Sequence, residues 1–220
     1  MIILRHALPD SRLDDVADLP LGQRNGLLMQ VRRELFGSTL DIRVPCPKCR
    51  EPVVVEVSID DILPEGWSPA GPSAIHLNIG PLQIEARPPR TRDLAGIQPD
   101  DHSDTTRRVL IERSVLKVLD GAREVPTHDL DDAAIAVIAE ALANADPLAD
   151  IRLSLECPSC ATPWMWRFGI ADLLWRELTS KVEGLFDEVH DLAIRYGWSE
   201  ADILSMTSAR RTAYLARLRA

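Results

Sequence analysis

The 220-residue sequence contains no apolar run close to the roughly 18–20 residues that a membrane-spanning helix requires. Its first ten residues lack a basic region followed by a long apolar stretch, which is the pattern of a secretory signal peptide. We therefore expect a cytoplasmic protein without a membrane partner.

Basic charge is also scarce, since 25 Lys and Arg residues face 34 Asp and Glu residues and the formal net charge is −9. Proteins that coat nucleic acids bind through Lys and Arg side chains that neutralise phosphates. The charge balance therefore argues against nucleic acid as a partner. A content of 45% hydrophobic and 27% charged residues is ordinary for a globular protein, and the length suits one domain or one domain with an inserted subdomain.

Enzyme signatures are missing as well, beginning with the glycine-rich loop that binds phosphates. The segment 197–201 resembles a nucleophile elbow, but it follows a predicted helix and lacks the second glycine, so we expect Ser199 to cap a helix. The acidic pairs at 60–61, 100–101 and 131–132 stand at predicted helix starts, where carboxylates stabilise free N–H groups. The sequence predicts no catalytic residue, no small-molecule substrate and a protein that is not an enzyme.

Only four cysteines occur, and they form two C-P-x-C pairs about a hundred residues apart: Cys46 with Cys49, and Cys157 with Cys160. Alternating apolar residues on both sides of each pair predict that it lies at the tip of a β-hairpin. Two such turns facing each other present four thiolates at the corners of a tetrahedron, the arrangement that Zn²⁺ prefers. The four thiolates would leave no open coordination position, so the predicted Zn²⁺ is structural.

Three other uses of the cysteines are alternatives to zinc binding. Disulfides are disfavoured in a reducing cytoplasm, and a redox C-x-x-C pair begins a helix after a strand, whereas strands follow both pairs here. Knuckles without metal stay open as an alternative. Arg50 and Ala161 stand where a zinc knuckle commonly carries glycine, and this departure weakens the predicted turn geometry.

The periodicity of apolar residues predicts an α+β fold. It would consist of a split four-cysteine zinc ribbon of two β-hairpins, an inserted subdomain and a long C-terminal helix. Four segments are predicted. Residues 1–21 are irregular, and residues 22–62 contain a helix at 22–36 followed by the first knuckle hairpin. Residues 63–147 form the inserted subdomain, with a β-hairpin and helices at 104–119 and 130–144, and residues 148–220 contain the second knuckle hairpin and the C-terminal helices.

The longest predicted helix, 170–196, carries an apolar seam with heptad spacing, and a short basic patch lies near the C-terminus. The seam could pack within the fold or against a partner helix, and the patch could be solvated, bind a protein or bind nucleic acid. The candidate partner surface comprises Trp175, Leu178, Val182, Leu185, Val189, Tyr196, Trp198, Arg210, Arg211 and Tyr214.

Three stretches of the chain resemble the baseplate hub assembly family of T-even-like myophages, which also occurs in prophages and contractile injection systems. They are residues 21–37 continuing into the first C-P-x-C pair, residues 87–94, and the C-terminal third from Cys157 to Leu215. The resemblance covers nearly the full length of the chain.

The resemblance implies a non-enzymatic baseplate hub component or assembly chaperone of a contractile phage tail or of a tail-derived injection system. The implied partners are other baseplate and hub proteins. The implied location is the cytoplasm of a bacterial host cell, with incorporation into an assembled tail-like particle as a further option. The alternative function is a nucleic-acid-binding zinc-ribbon protein or regulator that would use the basic patch around Arg210 and Arg211.

Overall fold

The computed structural model describes residues 3–4, 13–63, 66–69, 74–97 and 104–218 of an α+β protein. Its strands are β1 (Thr39–Pro45), β2 (Pro52–Ser58), β3 (Ile75–Ile79), β4 (Leu82–Ala86), β5 (Val115–Asp120), β6 (Arg123–Glu124), β7 (Ile151–Glu156) and β8 (Pro163–Phe168). Its α-helices are α1 (Leu13–Ala17), α2 (Leu21–Phe36), α3 (Ile59–Ile62), α4 (Asp104–Ser114), α5 (Asp132–Ala145), α6 (Ile170–Tyr196), α7 (Glu200–Ser205) and α8 (Ser208–Leu218). Short 3₁₀ turns occupy Thr91–Leu94, Thr127–Asp129 and Pro147–Ala149.

The chain divides into two compact units, Met1–Ile170 and Ala171–Ala220. The first unit contains all the strands, which form two separate two-stranded hairpins, β1–β2 and β7–β8, and one four-stranded antiparallel sheet in the order β3-β4-β5-β6. The second unit contains most of α6 together with α7 and α8. Small antiparallel sheets and a long C-terminal helix, as predicted from the sequence, are therefore present.

The N-terminal segment is more regular than predicted, because helix α1 lies inside the range 1–21 that is expected to be irregular. Residues 1–2 and 5–12 of that range lie outside the described residues. Asp14 and Asp15 stand in the first turn of α1, where carboxylates interact favourably with the helix dipole. The predicted helix at 22–36 is confirmed as α2. It ends at Gly37, whose φ of 86° is a conformation that glycine adopts without steric cost.

Helix α2 packs closely against the turn Pro147–Ala149. The backbone N–H of Gly22 donates a 2.9 Å hydrogen bond to Oδ2 of Asp146, and Nδ2 of Asn25 donates a 2.7 Å hydrogen bond to the carbonyl oxygen of Leu148. A Cβ atom at Gly26 would overlap the indole ring of Trp67. The small residues on this face of α2 therefore set how closely its neighbours approach.

The segment between the two hairpins has its own apolar core, formed where α4 and α5 pack on the four-stranded sheet. Its fully or nearly fully buried members come from both layers: Ile84, Ala86, Ile111, Val118, Leu130, Ala134, Ile135, Ile138 and Leu142. The predicted β-hairpin (β3–β4) and the second predicted helix (α5) are confirmed.

The first predicted helix of this segment, 104–119, is wrong in its second half, because α4 ends at Ser114 and Val115–Asp120 form strand β5. The register explains the error. Val118 pairs with Ile84 and Val115 pairs with Ala86, so a bulge places one extra residue, Leu116, in β5. The inward-facing valines are consequently three residues apart, a spacing that imitates one turn of helix.

The segment 87–94 anchors the first unit through a buried ion pair. Arg87 donates two hydrogen bonds to the carboxylate of Asp93, at 2.6 and 3.0 Å, and the backbone N–H of Arg90 donates a third at 2.7 Å. Arg90 and Arg92 also pair with Asp18, which follows α1. The segment therefore ties Asp18, just after α1, to the end of strand β4.

In the second unit, the chain turns back after α6 so that α8 lies along the C-terminal part of α6. The prediction that Ser199 caps a helix is confirmed, since its Oγ accepts a 3.2 Å hydrogen bond from the N–H of Asp202 at the start of α7. Leu192 and Ile203 are fully buried. Arg211 donates a 2.8 Å hydrogen bond to Oε2 of Glu188 and joins α8 to α6.

Candidate metal centre

The two hairpins present the cysteines because each has one apolar face. In β1 the buried residues alternate as Leu40, Ile42 and Val44, and they lie opposite Val57, Val55 and Val53 of β2. In the second hairpin Ile151, Leu153 and Leu155 lie opposite Phe168, Trp166 and Trp164. Proline begins β2 and β8, as Pro52 and Pro163, and so limits each knuckle loop to the six residues before it.

The two knuckles have the same backbone geometry. In the first, the N–H of Cys46 donates to the carbonyl of Glu51 at 3.0 Å, and the N–H of Arg50 donates to the carbonyl of Cys46 at 3.0 Å. In the second, the corresponding distances are 3.1 Å for Cys157 to Thr162 and 2.8 Å for Ala161 to Cys157. The duplication predicted from the sequence therefore extends to the hydrogen bonds.

Arg50 and Ala161 adopt left-handed backbone conformations, with φ of 63° and 52°. They are the only non-glycine residues with positive φ in the part of the chain that the structure describes. A side chain in this region costs on the order of 1 kcal/mol relative to glycine. The knuckle turn thus forms in spite of the missing glycines.

The structure brings all four sulfurs together, each within 4.8 Å of the others. Sγ of Cys46 lies 3.7 Å from Sγ of Cys160, and Sγ of Cys49 lies 3.6 Å from Sγ of Cys157. A tetrahedral Zn²⁺ with ~2.3 Å bonds places its sulfurs about 3.8 Å apart, whereas a disulfide requires ~2.05 Å. The four cysteines are free thiols at the spacing of a metal tetrahedron.

The cluster has a buried side and an exposed side. Cys46 and Cys157 are each only 1% exposed and contact Val53, with Val55 and Trp164 packed around them. Cys49 is exposed and Cys160 is half-buried. An ion held by these sulfurs would therefore be shielded by apolar side chains on one side and reachable by solvent on the other.

The electrostatics of the cluster spread the thiol pKa values widely. The hydroxyl and the backbone N–H of Thr162 lower the pKa of Cys160 to about 6. The N–H of Cys49 is the main cause of a lowered pKa at Cys46. At Cys49 the N–H of Glu51 favours the thiolate, but desolvation and the three neighbouring sulfurs outweigh it and raise the pKa to about 12. Four thiolates at this spacing repel one another, and a bound divalent cation would remove that repulsion.

The candidate partner residues fall into two groups within the second unit. Towards the N-terminal end of α6, Trp175 and Val182 are exposed by 59% and 49%, and Leu178, Leu185 and Val189 are half-buried. Phe186 adds to this exposed apolar stripe. Phe186 is not among the predicted partner residues, and its 63% exposure is a finding of the structure.

At the other end of the unit, Tyr196, Trp198 and Tyr214 form one aromatic cluster. The rings of Tyr196 and Trp198 stack with centroids 4.5 Å apart, and Tyr214 meets both edge to face. The guanidinium group of Arg210 lies 5.9 Å from the centroid of the Tyr214 ring. Because these side chains contact one another, the cluster fixes α8 against α6.

Thr162 is the residue of the metal centre that the sequence reasoning missed. Its Oγ1 lies 3.3 Å from Sγ of Cys160. Comparing the two knuckles position by position would have revealed it, because Glu51 occupies the equivalent place in the first knuckle.

Within the described ranges, no second group of His, Cys, Asp or Glu side chains has ligand spacing. The helices of that part of the chain include none with the length and apolar character needed to cross a membrane.

Comparison with known protein families identifies a family to which the chain is similar. The family model for the T4 bacteriophage base plate protein matches residues 7–175, a span that includes both knuckles and the ion-paired segment 87–94. No curated protein and no solved structure matches the chain. Because the matched span is more than half of the sequence, the chain belongs to the T4 bacteriophage base plate protein family, which makes it a phage baseplate component.

Proposed function

We propose that this protein is a non-enzymatic baseplate hub component or assembly chaperone of a contractile phage tail or a tail-derived injection system, acting as a zinc-stapled scaffold for protein–protein contacts. The observation that carries the proposal is the convergence of four thiols from two distant hairpins in a chain of the baseplate family. It acts by contact, as a structural baseplate protein does, in the bacterial host cell or in the assembled particle.

The staple in this proposal is Zn²⁺ held by Cys46, Cys49, Cys157 and Cys160. Their chemistry fits, since thiolates at tetrahedral spacing are the preferred ligands of structural zinc. Cys46 and Cys160 are 114 positions apart in the sequence, and Cys49 and Cys157 are 108 positions apart. The ion would therefore close a split zinc ribbon whose two halves flank the segment with the four-stranded sheet. A structural ion contributes its binding free energy to folding.

The partner surface in this proposal is the exposed apolar stripe of α6, formed by Trp175, Val182 and Phe186. Side chains of this size that stay about half exposed or more lose little entropy and bury a large apolar area when a partner helix covers them. The proposed occupant is a helix of another baseplate or hub protein.

Nucleic acid is disfavoured by the contacts of the basic patch. Arg211 is paired with Glu188, and Arg210 and Arg217 lie against the ring of Tyr214. These groups serve the packing of α8, and the net charge of −9 would repel phosphates.

Affinity capture of the tagged chain from cells that express its tail gene cluster tests the proposal. We expect the wild type to retain baseplate proteins and Val182→Glu to lose them, because the new carboxylate would be buried at the interface. Ile194→Glu is the matched control, since Ile194 is 72% exposed on the same helix but outside the heptad seam. Capture of nucleic acid without baseplate proteins, or equal capture by Val182→Glu, would contradict the proposal.

A further inference from the structure

The two knuckles are copies of one turn that differ at a chemically informative position. Residues 46–52 and 157–163 share both cysteines and both prolines, and their backbone hydrogen bonds correspond one to one. Two residues after the second cysteine, however, the first knuckle has Glu51 and the second has Thr162.

This difference changes what the side chain can offer to a metal-bound sulfur. In the free thiol, Sγ of Cys160 donates a hydrogen bond to Oγ1 of Thr162 over 3.3 Å. A metal-bound cysteine is a thiolate that can only accept, and the Thr162 hydroxyl, which can donate as well as accept, would then donate to it. An ionised Glu51 carboxylate has no proton to donate and carries the same charge sign as the thiolate. Groups that orient the ligands of a metal are a large part of its affinity.

Exposure makes the same distinction between the two knuckles. Cys49, the second cysteine of the first knuckle, is exposed, whereas Cys160 is half-buried. The inner cysteines, Cys46 and Cys157, are equally buried at 1% exposure. The difference in solvent exposure between the two knuckles therefore lies in their second cysteines, Cys49 and Cys160.

We propose that Thr162 is a positioning residue that holds Cys160 on the ion, and that the ion is exchanged through the first knuckle, by release of Cys49. The inference rests on the proposed zinc staple and specifies which knuckle releases the ion. The second knuckle keeps the metal, and the first opens.

Metal titration of the full-length protein with Co²⁺, in competition with a chelator, tests the role of Thr162. Thr162→Val keeps the size of the side chain and removes the hydroxyl, and we expect it to weaken Co²⁺ binding by about 10-fold or more. Thr162→Ser restores a hydroxyl and is expected to bind as the wild type does. An affinity of Thr162→Val equal to that of the wild type would overturn the inference while leaving the metal site intact. A wild type that binds no Co²⁺ would overturn both proposals.

The direction of exchange has an independent readout in limited alkylation of the metal-loaded protein, followed by mass mapping of the cysteine peptides. Cys49 is expected to be alkylated before Cys160 in the wild type. In Thr162→Val the reactivity of Cys160 should rise towards that of Cys49. This change in order would not follow from a merely structural role of Thr162. Alkylation of Cys160 first in the wild type would contradict the proposed direction.

Discussion

Single residues determine where this fold tolerates strain and where it buries charge. Arg50 and Ala161 show the first case, because a left-handed turn residue closes each knuckle although neither is glycine. The sequence alone suggested weakened turns. In the structure each turn is nevertheless closed by two backbone hydrogen bonds, one donated by its first cysteine and one accepted by it.

Asp93 shows the second case, because its buried carboxylate is paired with the guanidinium group of Arg87. Burial alone would raise the pKa of Asp93, but the hydrogen bonds from Arg87 and from the N–H of Arg90 outweigh it, and the pKa is lowered. A lowered pKa in the folded state contributes stability above the ordinary carboxyl pKa, and this contribution is lost as the pH falls through the folded-state value.

We therefore expect Asp93→Asn to lower the free energy of unfolding by about 2–4 kcal/mol at pH 7, since it leaves the Arg87 charge buried without its partner. The difference in the free energy of unfolding between the wild type and Asp93→Asn should become smaller as the pH falls below about 4. Urea denaturation at several pH values measures both effects. Asp18→Asn is the control, because Asp18 is 42% exposed and its ion pairs should contribute less than ~1 kcal/mol. A gap that does not change with pH would contradict this account.

Helices and strands were predictable where their apolar residues keep one regular spacing along the sequence. Helix α6 spans the predicted 170–196 because its apolar residues keep helical spacing over its whole length and Gly197 ends it with φ of 66°. The two knuckle hairpins were predictable because apolar and polar residues alternate in them. Strand β5 was not predictable, since the bulge at Leu116 changes the spacing of its buried residues from two to three.

The contact between α2 and Trp67 was also beyond the sequence, because nothing in the local pattern indicates which residue covers Gly26. We expect Gly26→Ala to lower the melting temperature, because the added Cβ would displace the indole ring of Trp67. The expected loss in the free energy of unfolding is about 1–3 kcal/mol. Gly184→Ala is the matched control. Gly184 is also inside a helix but has no atom within 4 Å of its Cβ position, so this variant gains only helix propensity, up to ~1 kcal/mol. Thermal melting followed by circular dichroism compares the two, and an equal rise in both variants would show that the contact is unimportant.

At the scale of the whole molecule, the arrangement of the cysteines was the most predictive feature of the sequence. The spacing within each pair and the matching flanks predicted that four distant thiols converge, and the four sulfurs do lie within 4.8 Å of one another. The four-stranded sheet between the hairpins could not be predicted, because β5 resembles a helix and β6 has only two residues. The division into four segments remains a prediction. In the sequence, the boundary between the two compact units falls between residues 170 and 171.

The proposed scaffold depends on zinc, because the ion would join two hairpins that are far apart in the sequence. The hairpins β1–β2 and β7–β8 are separate two-stranded sheets, and two-stranded hairpins are marginally stable on their own. Both hairpins contribute to the apolar cluster around Val53, and an ion between the knuckles would add its binding free energy to their association.

The most direct test is the metal content of the full-length protein purified without chelators, measured by mass spectrometry of the metals alongside protein concentration. We expect about one Zn²⁺ per chain, with loss of the metal and a lower melting temperature in Cys46→Ser and Cys157→Ser. Ser159→Ala, which changes the same knuckle without removing a sulfur, should keep the metal. Folded protein with far less than one Zn²⁺ per chain would contradict the zinc-stapled scaffold.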